Sequence, residues 1–392
     1  MRQRLRSRLS HARVAALVPL TVLLTSAVIA LVAFGDGRAQ AAGQLSCGET
    51  ITADVTLHHN LVNCPNNGII IGADDVTLDL NYHTIDGDGT PAAGCDPETE
   101  FCDVGVLNDG HDGVTLVHGS MRQFDVGAAV GEARHNRLLD ISASRNRFFG
   151  LVIFGTARSV VRNGSFSRNI PPEGDGIGVF GSDHLRILHN KVRHNPGPGI
   201  HVDDSNENLI KRNVFSRNSP GILMGGDRNE VRRNRCARNG ACVLVGGGSR
   251  NVIARNRINK GGDGIAIEKG HGNLIARNDI LGPHRAGVYL AIDRPPIGGR
   301  DNLIRRNFVR GSGEDAFLVR REDRHSRLKR NVAVGAGDDG FDVNSRSANL
   351  TRNRALRNRD LGIEAVRGVR DGGGNKASGN GDARQCTNIV CR

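Results

Sequence analysis

The chain has 392 residues, with 53 Lys and Arg against 41 Asp and Glu, 52 Gly, 12 Phe, two Tyr and no Trp. Aromatics at 4% are too few for a globular enzyme core packed from large side chains, so the chain needs many small, regular layers instead. The formal net charge is +12, but residues 1–41 hold six Arg and one Asp; the remainder, 47 basic against 40 acidic, is only moderately basic, and scarce aromatic platforms argue against nucleic acid as a partner.

Arg2, Arg4, Arg6, Arg8 and Arg13 precede an apolar run from Val14 to Phe34, and Ala39-Gln40-Ala41 offers small residues for signal peptidase. Residues 1–41 therefore read as a signal peptide and the protein as secreted or held at the cell surface. The apolar run is long enough to span a bilayer, so an uncleaved anchor is the one membrane association expected. Residues 42–74 are expected to form an N-terminal cap. All eight Cys lie beyond the leader in four close pairs, Cys47 with Cys64, Cys95 with Cys102, Cys236 with Cys242 and Cys386 with Cys391. In an exported chain these are expected disulfides; no C-x-x-C suggests zinc.

From about residue 75 to 368 the sequence repeats. A motif of the form Leu/Val-Ile-x-Arg-Asn recurs with its Asn at 163, 190, 213, 234, 256, 278, 307, 331 and 353. Between these lies Gly-Ile/Val-x-Val/Ile, as in Gly199-Ile-His-Val and Gly264-Ile-Ala-Ile. Apolar residues alternate within each short strand, one face inward and the other to solvent, and Gly and Asn supply the corners. A leucine-rich repeat would show a denser Leu framework. The expected fold is all-β, a single-stranded right-handed parallel β-helix of about 12 coils and a monomer, with residues 369–392 as a disulfide-closed tail. The recurring Asn are expected to stack as a structural ladder. Residues 88–104 and Pro283 to Arg300 are insertions that could wall a site.

The segment from Val76 to Gly87, Val-Thr-Leu-Asp-Leu-Asn-Tyr-His-Thr-Ile-Asp-Gly, together with the repeats to about Val366, resembles the pectin-lyase-like superfamily. The similarity is to its repeat-only bacterial branch, which includes the periplasmic accessory proteins of nitrous oxide reductase. The resemblance implies the fold, not an activity, because hydrolases, lyases, epimerases, adhesins and accessory proteins share it. Nor does it bring a copper site, since His58, His59, His83, His111 and His118 are dispersed without ligand spacing. No cofactor is expected; calcium on corner aspartates is the one ion left open.

Two surfaces could carry chemistry. Outward positions of the Gly-Ile-x-Val strands hold His201, Asp203, Glu268, Tyr289, Arg320, Asp342, Asn344 and Glu364. Of these, Asp342, Arg320, Tyr289, Glu268 and His201 are the candidate catalytic set, with Arg320 and Asp342 expected as neighbours; the alternative is a solvated polar face. Asp338-Asp339-Gly-Phe-Asp342 looks like the paired aspartates of polygalacturonases, but Gly270-His271-Gly272 comes before rather than after it. Asp175, Asp263 and Asp315 hold the same position before other strands, so a corner-forming role is expected. The second surface is the column preceding the ladder Asn, in which Arg212, Arg233, Arg255, Arg277, Arg306 and Arg330 would bind an acidic polysaccharide along the helix axis. Two functions follow: an exported β-helix that binds and modifies an acidic polysaccharide, or a non-catalytic scaffold, accessory or adhesion protein.

Overall fold

A computed structural model of the chain describes residues 45–96, 101–171, 173–290 and 298–392. The expected signal peptide and part of each insertion lie outside them. The described residues form short β-strands and no α-helix. No helix among them is long and apolar enough to cross a membrane. Each coil contributes three strands, and each strand pairs in parallel with its counterpart one coil on. We name the stacks sheet A, which holds the Gly-Ile-x-Val strands, then sheets B and C in chain order.

Sheet A contains about 14 coils, from Glu49–Ile51 to Ile363–Ala365, rather than the expected 12 or so. The pattern extends at both ends. Glu49–Ile51 pairs with Ile69–Ile71, and Arg354–Leu356 with Lys376–Ser378. All four expected disulfides are present, and the tail crosses the last coil through bridges from Ile363 to Cys386 and from Asn375 to Cys391.

Register puts like on like. Ile200 pairs with Ile222, Ile222 with Val243, Val243 with Ile265, and all four are buried. Core volume is balanced across the coil. Phe166 and Phe215 fill sheet C where sheet A offers Leu151 and Ile200, whereas Phe317 and Phe341 fill sheet A where sheet C offers Ala333 and Ala355. The core volume is thereby kept similar from coil to coil. Phe317 and Phe341 lie parallel, with ring centroids 4.6 Å apart.

Corners are made by a residue of positive φ followed by a buried Asn. Between sheets B and C the ladder runs Asn190, Asn213, Asn234, Asn256, Asn278, Asn307, Asn331, Asn353 and Asn375, each at most 1% exposed. Of the preceding residues, His189, Arg212, Arg233, Arg255, Arg277, Arg306, Arg330 and Arg352 have φ between 53° and 59°, and Gly374 has φ 70°. The expected rung at Asn163 is displaced by one residue: Asn163 itself has φ 60° and is exposed, and Gly164 takes the ladder position, donating its N–H to Asn190 Oδ1 at 2.7 Å. Further buried ladders occupy the other corners, through Asn146, Asn169, Asn195, Asn218 and Asn239 between sheets C and A, and through Asn208, Asn229, Asn251, Asn273 and Asn302 between sheets A and B.

Candidate functional site

The outward face of sheet A changes character along the helix. Near its N-terminal end Phe101, Leu107, Ala129, Phe149, Val152 and Phe180 form a second, buried apolar cluster. The 88–104 insertion thus covers this face through Phe101 and Val104 rather than walling an open groove. His201 closes the cluster: its ring packs edge-on to Phe180 with centroids 5.1 Å apart, and Nδ1 lies 3.2 Å from Asp175 Oδ2. Burial lifts the Asp175 carboxyl to about 6, against the opposing pull of His201.

Toward the C-terminal end the face becomes acidic. Tyr289 aligns with Leu318, Leu318 with Asp342, and Asp342 with Glu364. Carboxyl oxygens of Asp315, Asp338 and Asp339 lie within 4.8 Å of one another beside this column. Asp315 and Asp339 do form corners as expected. Asp315 Oδ1 accepts the Asp339 N–H at 3.0 Å, and Asp339 Oδ1 accepts the Leu361 N–H at 2.7 Å. The same registry crowds their charges. Burial first, then a hydrogen bond with Glu364 and repulsion from Asp315, pushes Asp339 up to about 8. Burial and the charges of Asp342 and Asp338 raise Asp315 to about 7. Asp342, held by Asn344 Nδ2 at 2.8 and 2.9 Å, is lifted by burial and by Glu364 to about 6, against the pull of Arg320.

Three of the five candidate catalytic residues meet here. Arg320 lies over the Tyr289 ring, its Cζ 6.0 Å from the centroid, and acts electrostatically on Asp342. The expected adjacency of Arg320 and Asp342 is diagonal: Arg320 occupies the next outward position along its strand, level with Asn344. His201 belongs elsewhere, six coils from Asp342, about 29 Å at the spacing of neighbouring strands, whereas Glu268 lies three coils from Asp342, one coil before Tyr289 and diagonal to it. Asp315, Asp338, Asp339 and Glu364 were not in the expected set. Their signal was the repeated Asp before the strand, which reads equally well as corner chemistry until coils are aligned.

The arginine column stands where expected, at the corner between sheets B and C. Arg212, Arg233, Arg255, Arg277, Arg306 and Arg330 are all exposed. Cavities of about 450 and 400 Å³ open instead at the corner between sheets C and A.

A model of the family described as periplasmic copper-binding protein (NosD) matches residues 66–224 and 172–295, together more than half of the chain. The chain belongs to the NosD family. Its membership and its four disulfides identify an exported protein. Copper sites take thiolate, thioether or imidazole donors. Among the described residues of this NosD family member all Cys are oxidised, Met121 and Met224 are wholly buried in the core, and the one cluster of metal-ligating type is made of carboxylates. No His among the described residues belongs to a cluster of three metal-ligating side chains; His111 pairs with Asp74 and His118 with Asp79. These residues do not suit copper; the carboxylates are hard oxygen donors of the kind calcium takes.

No curated protein sequence matches the chain. Solved structures with a similar fold include DFA-IIIase from Arthrobacter chlorophenolicus A6 in complex with GF2, at 13% identity over 62% of this chain and 66% of that one, with a TM-score of 0.44. A tailspike protein of E. coli bacteriophage HK620 in complex with a pentasaccharide is similar at 12% identity over 81% and 65%, TM-score 0.49. An alginate lyase from Paenibacillus sp. str. FPU-7 is similar at 14% identity over 73% and 92%, TM-score 0.40. This chain spans about two thirds of the length of the first two. At these identities the likeness is one of fold.

Proposed function

We propose that the protein is exported to the periplasm or beyond, where it binds an acidic polysaccharide across the outward face of sheet A and breaks a glycosidic bond at the carboxylate cluster. One observation carries this reading: Asp342 on the outward face stands beside the corner carboxyls Asp315, Asp338 and Asp339, with Glu364 one coil on, and this crowding and burial raise Asp342 to about 6 and Asp339 to about 8. At neutral pH Asp342 is largely ionised while Asp339 retains its proton. Carboxyls separated in this way can act as base and acid toward one bond. Glu364, exposed on the outward face and hydrogen-bonded to Asp339, stands between that acid and a leaving oxygen, and Asp342 faces the reacting carbon or its water. Asn344 fixes the Asp342 carboxylate, and Arg320 with Tyr289 would orient a sugar ring and neutralise its carboxylate.

The scaffold alternative is favoured by the structural hydrogen bonds that Asp315 and Asp339 already make. Incubation of the protein with acidic and neutral polysaccharides, reading chain length and unsaturated products together, separates the two. The expected result is cleavage of a polyuronate whose kcat/KM rises with pH through about 6 and falls through about 8. Asp339→Asn, which keeps a carbonyl acceptor for the Leu361 N–H, is expected to lower kcat by about 100-fold or more while the protein stays folded. Absence of turnover on every polymer, or an Asp339→Asn rate equal to that of the parent, would leave the scaffold.

A further inference from the structure

The corner between sheets C and A carries a second column of basic side chains, in Arg145, Arg168, His194, Arg217, Arg238 and Lys260, one from each of six successive coils. All six have positive φ, between 56° and 60°. Such a backbone favours Gly, and the same corner in the next three coils is indeed Gly282, Gly311 and Gly335. The corner therefore does not need a long side chain, yet six coils in a row carry a basic one. Main-chain hydrogen bonds from Arg145 N to Arg168 O and from Arg217 N to Ala237 O keep the column in register. Its length is about 24 Å at the spacing of adjacent strands. The Cys236–Cys242 disulfide brackets the Arg238 corner.

Sheet C lies between this column and the arginines of the corner with sheet B. In the four segments 189–194, 212–217, 233–238 and 255–260 there are ten Lys and Arg, two His and no Asp or Glu. The cavity of about 400 Å³ is lined by Arg193, His194, Arg217, Arg238 and Lys260 with Ser216, Ala237 and Asn259, and by no carboxylate. Its basic side chains are close enough to interact: Arg217 Nη1 donates to His194 Nε2 at 2.8 Å, and burial with the neighbouring arginine charges holds the His194 imidazole below its usual range. Among the described residues no carboxylate lies within ion-pair distance of Arg193, Arg217, Arg238 or Lys260. Like charges stacked at this spacing repel one another, and an external anion would relieve that repulsion.

We infer that this basic channel on sheet C is a binding site for a linear anionic polysaccharide lying along the helix axis, with about one acidic group per coil. The lining offers cations and short polar side chains but no aromatic platform, which disfavours single-stranded nucleic acid. The inference names the polymer chemistry of the reading above, but it rests on different residues from the acidic face of sheet A.

The test is calorimetric titration of the protein, as exported, with oligogalacturonate at low and high salt, beside a neutral galactan and a single-stranded DNA of equal charge. Arg217→Gly, Arg238→Gly and Lys260→Gly combined remove the charge in a form that Gly282, Gly311 and Gly335 show the corner accommodates. The expected result is salt-sensitive binding of the uronate, about tenfold or more weaker in the triple variant. Equal binding by the triple variant, equal binding of galactan, or tighter binding of the DNA would overturn it. Charge-dependent binding without turnover in any variant would uphold the channel and remove only the catalytic reading.

Discussion

Replacing Asn256 by leucine is expected to lower the unfolding free energy by on the order of 4 kcal/mol. Asn256 Oδ1 accepts from the backbone N and the side-chain Nδ2 of Asn234, at 2.9 and 3.1 Å, and its own Nδ2 donates to Val231 O and to Asn278 Oδ1, both at 3.0 Å. The site is dry, with Asn256 1% exposed. Leucine removes four bonds and strands polar atoms from the coils on both sides, where each unmet group costs about 1–3 kcal/mol. Because a solenoid is stabilised by contacts between neighbouring coils, the loss divides the stack rather than loosening a margin. Arg255→Gly, one residue away, is the matched control. Arg255 has φ 57° and is exposed, so glycine relieves backbone strain while loosening the unfolded chain, and the net change should stay within about 1 kcal/mol. Urea midpoints of the two variants measure the contrast; a leucine variant as stable as the parent would show that the ladder is not a principal source of stability.

The melting temperature is expected to fall as pH rises from about 4 to about 8, by on the order of 5 °C or more. Burial raises Asp175, Asp323 and Asp342 to about 6, Asp103 and Asp315 to about 7 and Asp339 to about 8. In each case the folded state holds its proton more tightly than the unfolded chain. Below the ordinary aspartate range both states are protonated and the stability this brings is fully present. Between that range and the raised values the unfolded chain gives up protons that the fold retains, so stability drops with every step of pH and levels off only above about 8. A thermal melt series across this window, with Asp339→Asn and Asp315→Asn as variants that no longer titrate, reads the effect. The variants should flatten the curve. A protein that instead gains stability from pH 5 to pH 8 would mean that these carboxyls are ionised in the fold.

The fold was legible in the sequence because its determinants are local. Ile200 and Val202 flanking His201 set an inward and an outward face within four residues, and each cysteine finds its partner within 17 residues. Misreadings arose where register between coils decides. At Asn163-Gly164 the positive-φ residue is itself an Asn, so the ladder position passes to a glycine that no repeat motif marks. The other ladders are harder to read because Ser159, Ser182, Ser205 and Asn208 interrupt a uniform motif, although their hydroxyl and amide oxygens likewise accept from backbone N–H groups. For the candidate site, alternation was enough to bring out Tyr289, Arg320 and Asp342. It could not bring out Asp339, whose raised pKa comes from the depth of the corner and from Glu364 one coil on. The same holds for the basic channel: Arg217 and Arg238 each precede a buried Asn, as Arg145, Arg168 and His194 do, but Lys260 precedes Gly261, and only the stacking of coils aligns it with them.

The central claim is that sugar chemistry takes place on the acidic face of sheet A. A crystal structure of Asp339→Asn with a bound oligogalacturonate tests it most directly. The expected result is a sugar chain crossing Phe317–Val319, Phe341–Val343 and Ile363–Ala365, with a glycosidic oxygen in hydrogen-bond reach of Glu364 and a sugar carboxylate on Arg320. Sugar density confined to the channel on sheet C, with the carboxylate face bare at saturating ligand, would contradict it.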